Sequence, residues 1–148
     1  MLKDIAVVHT DQERCTCDLL YLDGTVRQLS EPAESLFSRW CISYGSTLEG
    51  RIDAVRRLTG VRTKPPLLIR ERDVLLFFPM RSLHTTGENY WINDNQLAAV
   101  LPERRSSAHL IFLNGFQAQI PYDIRMIRRQ QEICRTIRDM LANYDKEL

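Results

Sequence analysis

Residues 67–78 read LLIRERDVLLFF, two apolar runs separated by the charged segment RERD. Two short apolar runs with such a break predict two strands joined by a turn. The second run, from Val74 to Phe78, contains no polar residue that would mark a solvent-facing side. A strand without polar alternation is typical of one buried on both faces of a sheet. We therefore expect a hairpin with a charged tip and a fully buried strand.

The segment before this hairpin, residues 40–66, reads WCISYGSTLEGRIDAVRRLTGVRTKPP. Ser46 and Glu49 have the spacing of a capping box, in which Ser46 accepts from the amide of Glu49. The apolar residues that follow recur at helical spacing, and Gly60 is suited to end the helix. Lys64-Pro65-Pro66 is expected to be extended, since proline restricts its own φ and the residue before it.

Positive charge is concentrated in this helix and its exit. Residues 51–70 carry six basic side chains and one acidic side chain, Asp53, whereas residues 1–50 carry four basic and eight acidic ones. Seventeen of the twenty basic residues are arginine, whose planar guanidinium suits phosphates, base edges and narrow grooves. The helix itself does not require this charge, so we expect an acidic partner to meet the segment.

The N-terminal part predicts strands over residues 3–9 and 15–22, with a two-residue hairpin turn at Asp23-Gly24. Ser30 is a candidate cap for a helix through AESLFSRWC, with Pro32 in its first turn.

The C-terminal part continues with a polar loop over residues 79–90 and a short strand over 90–93. Residues 96–101 fit a helix and a strand equally. Asn114-Gly115 then predicts a second hairpin. A helix over about residues 123–145 carries a wide apolar stripe, which fits packing on the domain's own sheet or dimerisation, and five arginines off that stripe. The whole chain, residues 1–148, is read as one α+β domain of antiparallel hairpins with two shorter helices and a long C-terminal helix.

Several classes of function lack support in the sequence. No run of 18 apolar residues and no signal peptide is present, which favours a cytoplasmic protein without membrane contact. Gly45 to Arg51 resembles a phosphate-binding loop, but Arg51 and Ile52 replace its lysine and hydroxyl residue. The histidines lack metal-binding spacing, so we expect no metal and no cofactor. Cys15 and Cys17, alternate residues of a predicted strand, leave open either a metal or ordinary thiols.

An ordered series of short motifs resembles the ComK family of competence transcription factors from Gram-positive bacteria. The resemblance covers roughly residues 36–140. It rests on Gly45-Ser46, Gly50-Arg51, Ala54, Thr59, Lys64-Pro65-Pro66, Phe78-Pro79, Trp91-Ile92, Asn114-Gly115 and Ile120-Pro121-Tyr122.

This resemblance implies a regulator, expected to be an activator, that binds AT-rich boxes in double-stranded DNA, largely from the minor groove, as a homodimer or as pairs of dimers. Further partners that it implies are RNA polymerase and a proteolytic adaptor. Longer members of the family carry a C-terminal tail that the adaptor uses, and a chain ending at Leu148 resembles a shorter member without it.

Combined with the charge pattern, the resemblance implies a DNA-facing set, in which Arg81 and His84 are secondary members: Ser46, Arg51, Arg56, Arg57, Arg62, Lys64, Arg81 and His84. Two other functions remain open from the residues. One is a protein-interaction or regulatory module of the same fold that does not bind DNA. The other is a small hydrolase or nuclease that uses His84, although no catalytic motif supports an enzyme.

Overall fold

Nine strands and three α-helices follow one another in residues 1–147, the part of the chain that the computed structural model describes. The strands are β1 Ile5–Asp11, β2 Thr16–Tyr21, β3 Val26–Leu29, β4 Leu67–Arg70, β5 Leu75–Pro79, β6 Glu88–Asn93, β7 Leu97–Pro102, β8 Ala108–Phe112 and β9 Gln117–Ile120. The helices are α1 Ala33–Ser43, α2 Leu48–Thr59 and α3 Ile124–Glu147. These elements confirm the α+β class and the long C-terminal helix.

The strands form two antiparallel sheets. The larger has the order β3-β2-β1-β6-β5-β4, and the smaller has the order β7-β8-β9. The N-terminal hairpin and the hairpin of residues 67–78 are joined in one sheet because β1 pairs with β6, with Val8 opposite Trp91. Of residues 96–101, which the sequence left undecided, all but Gln96 belong to the strand β7.

Both faces of the larger sheet are buried at β4 and β5, which form the hairpin of residues 67–78. Leu67 and Phe77 are paired and belong to one hydrophobic cluster, whereas Leu68 and Leu76 are paired and belong to another. Since side chains alternate between the faces of a strand, the continuous apolar run contributes to two separate cores. The prediction of a strand buried on both faces is confirmed.

Different elements cover the two faces. Helix α1 packs over the first face through Leu36, Phe37 and Trp40. The smaller sheet and α3 cover the second face, where Ile127, Cys134 and Ile137 of α3 are buried. These residues belong to the apolar stripe of α3, so that part of the stripe packs on the domain's own sheets.

Both glycine hairpins form, but their loops have three residues and not two. Gly24 has φ 87° and Gly115 has φ 91°. The amide of Gly24 donates to the carbonyl of Tyr21, and that of Gly115 donates to the carbonyl of Phe112. The loops therefore comprise residues 22–24 and 113–115. A turn followed by a left-handed glycine is a standard three-residue hairpin connection, and it uses the same Asp-Gly and Asn-Gly signals.

Two local predictions in the N-terminal half are wrong. Ser30 does not cap α1, because the N-cap is Pro32 and makes no side-chain hydrogen bond. Cys15 and Cys17 do not share a strand face, because Cys15 lies before β2 with φ 52° and is exposed, whereas Cys17 is buried. The Cys17 thiol donates to the carbonyl of Glu31 (3.3 Å). Burial raises the pKa of this thiol to about 12, which opposes the thiolate that a metal requires.

Within residues 1–147, no helix combines the length and apolar character needed to cross a membrane.

Candidate nucleic-acid interface

Helix α2 presents most of the predicted site residues, and its start differs by one residue from the prediction. The N-cap is Thr47, whose hydroxyl accepts from the amide of Gly50 (3.0 Å). The capping box proposed for Ser46 and Glu49 is therefore wrong. The predicted end is confirmed, since Gly60 adopts φ 74° and its amide donates to Arg56 (2.7 Å).

The connector from α2 to β4, residues 61–66, is held by the C-terminal helix. The side-chain amide of Gln130 in α3 donates to the carbonyl of Lys64 (3.0 Å) and to that of Pro79 (2.8 Å). Lys64 has φ 53° and is not extended as predicted. A non-glycine residue in this conformation carries a cost, which tertiary contacts such as those of Gln130 must offset.

Arg62 and Lys64 of this connector line two clefts. One cleft, of about 540 Å³, lies among α1, α2, the connector and the loop before β6, and Arg56 and His84 also line it. The other, of about 440 Å³, lies between the connector and α3, and Arg129 lines it. The connector is therefore a ridge between two clefts. We call its basic neighbourhood the basic ridge: Arg56, Arg62, Lys64, Arg81, His84 and Arg129.

Arg81 joins this ridge from the loop between β5 and β6. Together with Lys64 and Tyr122, it lines a third cleft of about 540 Å³. Burial raises the pKa of Tyr122, and the positive charge of Arg81 partly opposes this rise. Lys64 and Tyr122 are far apart in the sequence. Only tertiary packing, which includes that of α3, brings them together at this cleft.

The loop that carries Arg81 and His84 is held by a buried side chain, Asn89. Its Oδ1 accepts from the amides of Arg81 and Tyr90, both at 2.9 Å. Its Nδ2 donates to the carbonyls of Arg81 (2.9 Å) and Ser82 (3.3 Å). All four hydrogen-bonding positions of the amide are used, so Asn89 is a positioning residue for this loop. The sequence analysis did not identify it, because nothing local distinguishes this asparagine from a loop residue.

The arginines and the lysine of the basic ridge lack acidic partners among the side chains that the structure describes. Among residues 1–143, whose side chains the structure describes, Arg56, Arg62, Lys64, Arg81 and Arg129 form no ion pair. His84 is exposed, and its Nδ1 lies 4.0 Å from a carboxylate oxygen of Glu34. Positive charge that is not neutralised within the protein remains available to an anionic partner.

Three residues of the predicted DNA-facing set lie apart from this ridge. Arg51 is buried, with 7% of its surface exposed, and its Nη1 donates to Glu71 at the tip of the β4–β5 hairpin (2.8 Å). Arg57 is exposed and pairs with Asp53 one turn earlier in α2 (3.0 Å). Ser46 is half-buried beside the N-cap and lines none of the three clefts of the ridge.

One residue of the ridge was not singled out from the sequence. Arg129 is one of five arginines on α3, which the sequence left open as a solvated face or a ligand surface. The structure separates them: Arg138 donates to the carbonyl of Val74 and to Asp94, whereas Arg129 lines the cleft beside Lys64. Helical periodicity places both off the apolar stripe, and only the packing of α3 distinguishes them.

The family model described as "ComK protein" matches residues 3–146 of the chain. No curated protein and no solved structure matches the chain.

Proposed function

The chain belongs to the ComK family of competence transcription factors, and on that premise we propose that it binds AT-rich boxes in double-stranded DNA and activates transcription of genes for competence and DNA uptake. The observation that carries the proposal is the basic ridge. It gathers side chains from α2, the connector, the β5–β6 loop and α3. Apart from the His84–Glu34 contact, none of them is neutralised by an ion pair with the described side chains of residues 1–143.

The shape of the ridge supports recognition from the minor groove. Arg62 and Lys64 stand on a narrow connector with a cleft on each side, and the connector is stiffened by Pro65 and by the hydrogen bond from Gln130. A-tracts have a narrow minor groove with enhanced negative potential, which attracts inserted arginine and lysine. We assign Arg62 and Lys64 to the groove.

The remaining members of the ridge are assigned to the sugar-phosphate backbone. Arg56, Arg81, His84 and Arg129 flank the connector from α2, the β5–β6 loop and α3, an arrangement suited to contacting phosphates on both sides of a groove. Ser46, Arg51 and Arg57 are left out of the contact set, since they lie apart from the ridge.

Fluorescence anisotropy tests the proposal with an AT-box duplex and a GC-scrambled duplex of equal length, at about 50 mM and about 200 mM salt. We expect tighter binding to the AT-box. If each protomer neutralises about six phosphates, log K falls with log[salt] at a slope near −5. Titration to saturation also gives the number of protomers per box, for which the proposal expects a pair.

Equal and weak binding to both duplexes, with the protein folded, would contradict the proposal. It would favour a protein-interaction module of the same fold, the second reading that the sequence left open. Cleavage of the duplex in the presence of a divalent metal would instead favour a nuclease.

A further inference from the structure

The cleft on the α1–α2 side of the basic ridge has an apolar interior. Its volume of about 540 Å³ lies in the range of small-molecule sites, about 300–1,000 Å³. The apolar side chains that line it come from four parts of the fold: Phe37, Leu48, Ile52, Leu67, Leu83 and Trp91. Contact with DNA phosphates requires no such interior, so the proposed function does not account for it.

The wall of this cleft includes a buried polar group without a partner. Trp91 is 3% exposed, and its indole Nε1 has no hydrogen-bond partner within the described residues. A buried N–H that makes no hydrogen bond is destabilising, so such groups are rare unless a ligand or water supplies an acceptor.

The charged groups around the cleft favour an anion. Arg56, Arg62 and Lys64 line it, and none of them pairs with an acidic side chain of residues 1–143. Two carboxylates also line it, those of Glu34 and Glu49, and Glu34 faces His84 at 4.0 Å. Positive groups therefore outnumber negative ones, and Arg62 and Lys64 also belong to the basic ridge.

We propose that this cleft binds a small amphiphilic anion, with an aliphatic body against the apolar interior and a carboxylate head toward Arg62 and Lys64. Such a ligand covers the apolar surface of the half-buried Ile52 and Leu83, and its head accepts charge-assisted hydrogen bonds. Binding of the ligand does not depend on the proposed function. Its consequence does: because Arg62 and Lys64 belong to both sites, the ligand and DNA exclude each other, and the cleft is an effector site.

Isothermal titration of the DNA-free protein with decanoate, kept below its micellar concentration, tests binding directly. Decanoate is expected to bind with a stoichiometry of one per chain, and decanol and decyltrimethylammonium at least ten-fold more weakly. Arg62→Gln should weaken decanoate by about three- to ten-fold, as expected for a partly exposed charged contact. Arg57→Gln is the matched control for Arg62→Gln, because it makes the same change at an arginine that lines no part of this cleft. Arg57 is on the same helix as Arg56, which does line the cleft.

Ile52→Trp tests the interior, because the larger side chain occupies the cleft. We expect this variant to bind no decanoate while keeping the circular dichroism spectrum of the parent protein. Equal affinity for decanol and decanoate, or equal losses in Arg62→Gln and Arg57→Gln, would overturn the proposal, and Arg62→Gln alone decides it if Ile52→Trp does not fold.

A final experiment distinguishes failure of the ligand site from failure of the proposed DNA-binding function. Decanoate should release the AT-box duplex from the parent protein but not from Ile52→Trp. Decanoate binding without any DNA affinity would leave the ligand site standing and contradict the proposed function and the effector role, whereas DNA binding without decanoate binding would contradict the ligand site and leave the proposed function standing.

Discussion

Gln130, in the second turn of α3, donates a hydrogen bond to the main-chain carbonyl of Lys64, 66 residues earlier in the chain (3.0 Å). The same amide group donates to Pro79 (2.8 Å), so one buried side chain ties the C-terminal helix to the connector and to the end of β5. The position of the connector therefore depends on α3, although α3 begins far later in the chain, at Ile124.

Replacing Gln130 should loosen this connection. In Gln130→Ala, the carbonyls of Lys64 and Pro79 lose their side-chain donor, and we expect the free energy of unfolding to fall by about 2 kcal/mol. DNA affinity should fall as well, because Lys64 no longer needs to adopt its positive φ. Urea denaturation and anisotropy measure the two effects. Gln131→Ala is the control, and an equal loss in both variants would remove the specific role of Gln130.

Substitution of Arg51 should affect the stability of the protein, whereas substitution of Arg62 should affect DNA binding. Arg51 is buried against the fold and pairs with Glu71, so Arg51→Ala is expected to lower the free energy of unfolding by about 1–3 kcal/mol with little change in DNA affinity. Arg62 is exposed on the ridge, so Arg62→Ala should weaken AT-box binding by about 1–3 kcal/mol with stability unchanged. The reverse pattern would return Arg51 to the contact set.

Asn89 should control the order of the β5–β6 loop. Asn89→Asp keeps the shape of the side chain but replaces its donor, so a carboxylate oxygen faces the carbonyls of Arg81 and Ser82. We expect a loss of stability of about 2–4 kcal/mol and faster amide exchange in residues 81–87. Glu88→Gln, at the neighbouring exposed position, should leave exchange unchanged. Unaltered protection in Asn89→Asp would contradict the positioning role.

The stability of the protein should fall at alkaline pH, with a contribution from Cys17. Burial raises the pKa of the Cys17 thiol from 9.0 to about 12 in the folded state. Between these values the unfolded chain releases the thiol proton while the folded protein retains it. The unfolded state then binds fewer protons, and the free energy of unfolding decreases as pH rises. Below this window both states are protonated, and this thiol adds no slope.

Urea midpoints measured between pH of about 8 and about 10.5 test this expectation. Cys17→Ala should flatten the decrease, whatever its effect on stability at neutral pH. Cys15→Ala should leave the slope as it is, since Cys15 is exposed. Identical slopes in all three proteins would show that Cys17 does not contribute.

Local chemistry allowed much of the fold to be predicted from the sequence. The glycines at positions 24, 60 and 115 were assigned to turns or a helix end because only a few residue types accept positive φ, and all three have it. The run of apolar residues in β5 predicted burial on both faces because a strand alternates sides, and the structure confirms it. Such features depend on a residue and its near neighbours in the chain.

The basic ridge depends on distant contacts, which the sequence does not display. The charge excess of residues 51–70 indicated the segment that contains the connector, but Arg51 turns toward Glu71, Arg57 pairs with Asp53, and Arg129 comes from α3. The conformation of Lys64 opposes its local preference and depends on Gln130. The sequence alone determined which elements form and where charge accumulates, because propensity, periodicity and turn chemistry act locally. Only the tertiary structure decided which arginines share a surface, because that depends on which faces of α2 and α3 the two hydrophobic cores bury.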